Sequence, residues 1–305
     1  MALKMKLATT TGDFFKYGLN PKESIEEILN AGFKNIDYNF SYDYKNRCGL
    51  YADNWQKYAD ELLEMSAQKG FKFVQSHAPM GYPIKCDQNQ RQFIEDTKRS
   101  IEAAAYLGIP NIVVHAGHVK DITKAENFRL NKIFYNEILE VAEKSGILVL
   151  TENFNKMGIE NYYWPDNAND ICELVDYINH PLLKLCWDTG HANQQTLPQY
   201  NALKLLGNRV AALHVQDNLG FLDDHIMPFL GTLNVDSLMQ GLLDIGYNGY
   251  FTFEADSTPL SPSRRNVDKR ITKFTTLPLE FGRKFEALLY ETGKYLLTEY
   301  NCFEE

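Results

Sequence analysis

The chain has 305 residues, 44% of them hydrophobic and 23% charged, with a net charge of -9, the balance of a folded globular protein. An excess of acid disfavours nucleic acid as a partner, because proteins that bind a polyanion displace its counterions with surplus Lys and Arg. No run approaches the roughly 18–20 apolar residues of a membrane span, and the start, MALKMKLATTTGD, lacks the apolar core of a signal peptide, so a cytoplasmic location with no membrane contact is expected.

Eight β-rich runs recur along the chain: KLATTTG from Lys6, NIDYNF from Asn35, FKFVQSHAP from Phe71, NIVVHAGH from Asn111, ILVLTEN from Ile147, LKLCWDTGH from Leu183, VAALHVQDN from Val210 and YFTFEAD from Tyr250. Helical periodicity fills the intervals. Asn20, Pro21 and Glu23 spell an N-cap, a proline at the first helical position and the acid of a capping box, and Gly32 supplies a stop. Phe93, Thr97, Ile101 and Ala105 recur at steps of four, and Phe134, Ile138, Val141 and Ala142 follow the same helical spacing. Asn234 opens a further helix, and Phe281, Phe285, Leu288 and Leu289 mark the apolar face of a last one. Strand and helix alternating at a spacing of roughly 27 to 40 residues predict a single (β/α)8 barrel over residues 1–305. A doubly wound open sheet is the structural alternative, but neither GxGxxG nor a P-loop is present.

Barrel chemistry sits at the C-terminal ends of the strands. The third run ends in His77, the fourth in His115 with His118 just after, the fifth in Glu152, the sixth in Asp188 and His191, the seventh in His214 and the eighth in Glu254. Asp223 and His225 follow the seventh in the loop FLDDHIMPFLGT, and His180 alone of the seven histidines falls elsewhere. Gathering so many acids and imidazoles on one face concentrates charge at a cost that a cation removes. Glu152, Asp188, His214 and Glu254 stand at the tips of consecutive strands, and three carboxylates with one imidazole suit Mn²⁺ or Mg²⁺ and accept Co²⁺ or Zn²⁺. In CWDTGHAN, Asp188 is expected to bind that ion, Gly190 to let the backbone turn and His191 to face a substrate.

Cys48, Cys86, Cys172, Cys186 and Cys302 are scattered and read as reduced thiols. Arg264, Arg265, Lys269, Arg270 and Lys273 form a basic patch, read either as a solvated segment or as an anion site. Tyr162, Tyr163 and Trp164 read as walls for a sugar ring or as loop packing.

With VVHAGH, LTENF, CWDTGHAN, ALHVQDN, DDHIMPFLGTLN and FTFEAD in this order from about Phe71 to Asp256, the sequence resembles the xylose-isomerase-like barrel superfamily, which unites sugar epimerases and isomerases with endonuclease-IV-type AP endonucleases. The resemblance implies one divalent metal (Mn, Mg, Co or Zn) held by Glu152, Asp188, His214 and Glu254. It also makes Glu152 and Glu254 the acid/base pair for proton transfer through an enediolate, with a small ketose, aldose or polyol derivative as substrate. His77, His115, His191, Asp223 and His225 are then substrate-binding groups or supports of the metal ligands. In the nuclease branch all nine positions bind three zinc ions. The acidic balance of the chain favours the sugar enzyme, and the alternatives are an endonuclease-IV-like three-zinc enzyme or a metal-binding barrel without turnover. The arginine that commonly follows the seventh-strand histidine in ketose epimerases has no counterpart here, since His214 precedes Val215, Gln216, Asp217 and Asn218. Barrels of this kind often form homo-oligomers, but no stretch identifies an interface.

Overall fold

The computed structural model describes residues 3–81, 83–84, 89–155, 165–258 and 277–305. Eight parallel strands are present: β1 (Lys6–Thr10), β2 (Asn35–Asn39), β3 (Lys72–His77), β4 (Asn111–Val113), β5 (Leu148–Glu152), β6 (Leu183–Asp188), β7 (Val210–His214) and β8 (Tyr250–Phe253). They lie in the order β7-β6-β5-β4-β3-β2-β1-β8. The ring closes just past the tip of β7, where Val215 N–H donates to Thr252 O at 2.7 Å and Glu254 N–H donates to Val215 O at 3.1 Å. This is the (β/α)8 barrel expected from the spacing of the runs. Among the described residues no helix is long and apolar enough to cross a membrane.

Local chemistry explains the outer layer. Helix α1 (Pro21–Ala31) begins with both bonds of the capping box, Glu23 N–H to Asn20 Oδ1 at 3.1 Å and Asn20 N–H to Glu23 Oε2 at 2.8 Å. The chain leaves it through Gly32 at φ 112°, a conformation that disfavours any side chain. Further along come α2 (Ser41–Asn46), α3 (Trp55–Lys69), α4 (Gln90–Tyr106), α5 (Lys124–Ser145) and α6 (Ala168–Ile178). Then follow α7 (Thr189–Asn193), α8 (Gln199–Leu206), α9 (Val235–Asp244) and α10 (Leu279–Glu299). The outward residues of the strands pack beneath this layer in one continuous core that includes Ile36, Val149, Leu185, Leu213 and Phe251, each fully buried aliphatic or aromatic group contributing ~1.5–3 kcal/mol.

The last helix departs from its sequence reading. Phe281 and Leu288 are exposed, and the buried residues of α10 are Gly282, Glu286, Leu289, Gly293, Leu296 and Leu297. The helix turns its small residues to the barrel because space is short. A Cβ at Gly293 would lie 2.7 Å from both Leu7 and Phe253 side-chain carbons, so glycine lets α10 settle against β1 and β8.

Cys48, Cys172, Cys186 and Cys302 are free thiols, as expected. Cys86, the triplet Tyr162, Tyr163 and Trp164, and the basic patch of Arg264, Arg265, Lys269, Arg270 and Lys273 lie outside the described residues.

Candidate metal centre

Successive side chains on a strand point to opposite faces, and this alternation decides what reaches the barrel mouth. Leu150 and Glu152 share a face of β5, Cys186 and Asp188 of β6, and Ala212 and His214 of β7. Val113, Leu150, Cys186 and Ala212 form a separate buried cluster, an apolar floor beneath the polar tips.

Above that floor Glu152, Asp188, His214 and Glu254 each offer an atom, and these atoms lie within 4.8 Å of one another. His214 Nδ1 is 2.8 Å from Glu152 Oε1 and 3.4 Å from Glu254 Oε2. The two glutamates therefore flank one imidazole nitrogen and can share a centre. Glu152, Asp188 and His214 are buried, while the Glu254 side chain keeps 16% of its exposure and so remains within reach of a solute in the mouth.

A second group, His191, Asp223 and His225, is equally compact. His191 Nε2 and His225 Nε2 stand 3.2 and 3.1 Å from Asp223 Oδ2. His191 lies on the short helix α7, whose first turn is capped by Asp188 Oδ1 accepting from His191 N–H at 2.6 Å. A third group joins His77, Glu152 and His214, with His115 Nε2 2.8 Å from Glu152 Oε2 and 3.2 Å from His77 Nε2. All nine residues expected at the site are thus brought to one mouth. His118 belongs to none of these groups, and burial lowers its pKa.

Hydrogen bonds fix which nitrogen each ring presents. His77, His191 and His225 place Nδ1 against the carbonyls of Ala78 (2.6 Å), Asn153 (2.8 Å) and Glu254 (3.0 Å). Each must donate Nδ1–H there, which leaves Nε2 facing the mouth. His214 is reversed: Nε2 lies 3.3 Å from Asp37 Oδ2, so Nε2–H donates to Asp37 and Nδ1 faces Glu152 and Glu254. Imidazoles tethered in this way are those that ligate metals.

Charge is matched inside the cluster. Burial opposes ionisation of Glu152, yet His214, His115 and His77 hold its carboxyl well below the usual range. Burial pushes Asp188 up to about 7, against the pull of His191. Burial also works against protonation of His191, but Asp188 and Asp223 raise it to about 10. His214 is raised well above its ordinary value, with burial again opposing and Cys186, Glu254 and Glu152 favouring the cation. A metal replaces such protons with its own charge. The residues fit one: Asp188 Oδ2 is buried with no hydrogen-bond partner, its sister oxygen being taken by His191 N–H and by Gln216 Nε2–H at 3.2 Å. A hard set of three carboxylates and one imidazole around an orphaned oxygen suits a divalent cation.

Gly190 has a different role from the one expected. It lies inside α7 and carries no positive φ. A Cβ there would meet Gln216 side-chain atoms at 2.0 Å, so the glycine gives room rather than a turn. What it makes room for was missed in the sequence: Gln216 Nε2–H groups reach Asp188 Oδ1 at 3.2 Å and Asp223 Oδ1 at 2.8 Å. Asp37 was missed as well, together with Gln75, whose Nε2–H donates to Asp37 Oδ2 at 3.1 Å. Their signal was present as polar residues at inward positions of β2 and β3 in line with the site. Asn153 locks the tips of β5 and β6, donating to Asp188 O at 2.9 Å and accepting from Asp188 N–H at 2.8 Å. Asp217 pins the loop that carries Asp223 and His225, accepting from Leu233 N–H and Gly231 N–H at 2.9 Å each.

Comparison with known proteins identifies the family. The chain matches the xylose isomerase-like TIM barrel family over residues 25–274. It is 24% identical over 203 residues to fructoselysine 3-epimerase of Shigella flexneri, covering 65% of this chain and 72% of that protein. The match to two uncharacterized relatives spans only 54% and 62% of their length. Among solved structures, a D-tagatose 3-epimerase-like protein superposes with a TM-score of 0.72 at 20% identity, over 97% of this chain and 98% of that one. An AP endonuclease, family 2, from Brucella melitensis does so with a TM-score of 0.67 at 17% identity, over 84% and 94%. The extent of the family match and the closed eight-stranded ring agree that this chain belongs to the xylose isomerase-like TIM barrel family.

Proposed function

We propose that the protein is a divalent-metal-dependent isomerase or epimerase of a small ketose, aldose or polyol derivative. One observation carries the reading: Glu152 and Glu254 both approach His214 Nδ1, at 2.8 and 3.4 Å, as two carboxylates that can address the same substrate carbon. One removes the proton next to a carbonyl to give an enediolate, and the other returns a proton to it. An ion held by Glu152, Asp188, His214 and Glu254 would supply Lewis-acid polarisation of the carbonyl, an effect worth several kcal/mol. His115 Nε2 meets Glu152 Oε2 at 2.8 Å, and the Nε2–H of His214, donated to Asp37, keeps its tautomer fixed. His77, His191, Asp223 and His225 line the mouth as hydrogen-bonding partners for substrate oxygens. The 3-epimerase activity named for the Shigella relative supports the same chemistry.

A second reading, a three-zinc phosphodiesterase acting on nucleic acid, is favoured by the tethered His191, Asp223 and His225 group, whose two Nε2 atoms already meet one carboxylate oxygen. The net charge of -9 weighs against it. The deciding experiment incubates the purified protein with Mn²⁺ and a panel of ketoses and aldoses in D₂O. Solvent deuterium at the carbon beside the carbonyl, with one ion per chain, is expected. Three zinc ions with nicking of abasic DNA and no exchange would overturn the epimerase reading in favour of the second.

A further inference from the structure

The face of α10 turned to the barrel carries an acid among its glycines and leucines. Glu286 is 5% exposed, and Asp13, in the single 3-10 turn after β1 (Thr11–Tyr17), is 4% exposed. Both line a small cavity of about 20 Å³, room for one water-sized occupant, between that turn, the segment following β8 and α10. Thr9 Oγ1–H donates to Asp13 Oδ2 at 2.8 Å, whereas Asp13 Oδ1 and Glu286 Oε1 are buried without a hydrogen-bond partner. Carboxylate oxygens taken out of water in this way demand a proton or a cation.

Among the described residues no cationic side chain is paired with these two oxygens. Among the described residues the lysine on the cavity wall is Lys16, an exposed side chain whose Nζ lies 5.4 Å from the Tyr17 ring centroid. It forms no ion pair with Asp13 or Glu286 among those residues. The third acid on the wall, Asp256, has its Oδ1 4.0 Å from His225 Nδ1 and faces the barrel mouth as well. Compact groups of three ligand atoms within 4.8 Å occur, among the described residues, only at the barrel mouth. Asp13, Asp256 and Glu286 do not make such a group, so the several-carboxylate shell that a divalent ion favours is not assembled here. Two carboxylates beside a cavity for one water-sized occupant suit an ion of single charge.

We propose that this cavity binds a monovalent cation of ammonium or potassium size through Asp13 Oδ1 and Glu286 Oε1. Thr9 positions the first of these oxygens, and the bound ion braces α10 against the segment that follows Glu254. Protons compete for the same place. Burial, then the charges of Glu286 and Asp256, raise Asp13 well above the usual carboxylate range, and burial pushes Glu286 up to about 7. Among the described residues, Lys16 and Tyr17 from the turn and Asp256 from the β8 segment are the other charged or titratable groups that face the pair. A carboxyl raised in the folded state stabilises it below neutral pH, and that stability is lost as pH rises through the raised value. A cation that replaces the proton softens this loss.

Thermal unfolding of the full chain tests the site, at pH 8, fixed ionic strength and fixed Mn²⁺. Potassium or ammonium chloride is compared with tetramethylammonium chloride, whose cation is too large for the cavity. A rise in Tm of roughly 3 °C at about 100 mM is expected with either small cation, retained in Lys16→Gln and absent from Glu286→Gln and Asp13→Asn. Equal midpoints in all three salts, or the same rise in Glu286→Gln, would overturn the proposal. A rise seen only after Lys16→Gln would assign the place to that lysine and overturn it too. Should the acidic-site variants not fold, the wild type alone decides: the midpoint should fall less between pH 6 and pH 8 in potassium than in tetramethylammonium, and identical falls would refute the site.

Discussion

The two ligand groups at the barrel mouth are built on different foundations. Glu152, Asp188 and His214 end β5, β6 and β7, where ladder pairing of Glu152 with Cys186 and of Asp188 with His214 fixes their relative height. Glu254 follows β8 directly and takes its place from the bonds that close the ring. His191, Asp223 and His225 instead sit on a five-residue helix and a long loop, and His225 holds a φ of 46°, which costs a non-glycine residue energy. The difference teaches a division of labour. Strand tips fix the candidate ion-binding set through ladder pairing, while the helix and loop present a second candidate set whose geometry depends on side-chain ties such as those of Asp217.

Substitutions can break that division. The largest effect is expected for Asp188→Asn, which removes a charge from the strand-borne set and the orphaned oxygen with it. Metal should be lost and deuterium exchange should fall at least about a thousandfold, some 4 kcal/mol in barrier; metal analysis beside the exchange assay checks both. Asp37→Asn leaves every ligand in place but weakens the hold on His214 Nε2–H. Metal affinity should drop by roughly 10- to 100-fold, read by competition with a chelator, and unchanged affinity would remove Asp37 from this role. Gly190→Ala drives a methyl into Gln216 and should cost about 2 kcal/mol of stability, measured by denaturant unfolding. The smallest effect is expected for His225→Asn, with turnover reduced on the order of tenfold and the ion of the strand-borne set retained. Loss of two further ions in that variant would erase the distinction and favour the three-zinc reading.

Much of this was legible in the chain itself. The eight runs, the capping box at Asn20 and the order of Glu152, Asp188, His214 and Glu254 announce a barrel with acids and imidazoles at its mouth, because strand ends and helix starts are written in local chemistry. Two features were not. The buried face of α10 follows Gly282, Glu286 and Gly293 rather than Phe281 and Leu288, since close approach to β1 and β8 selects small residues and overrides apolar periodicity. The roles of Asp37 and Gln216 depend on which ring nitrogen His214 turns toward β2 and on where Asp223 returns from its loop, relations that span distant parts of the chain. Gly190 was read as letting the backbone turn because glycine permits it, and only the Gln216 side chain beside it reveals a steric purpose.

Gln216 has a last implication. Its carboxamide carries two hydrogens on one nitrogen, and each is committed to an oxygen of a different acid, Asp188 on one side and Asp223 on the other. The site thus contains a yoke. Any solute that draws Asp223 outward must tug on Asp188 through a single planar group, so occupancy of the loop should be felt at the strand tips without any shift of the backbone between them.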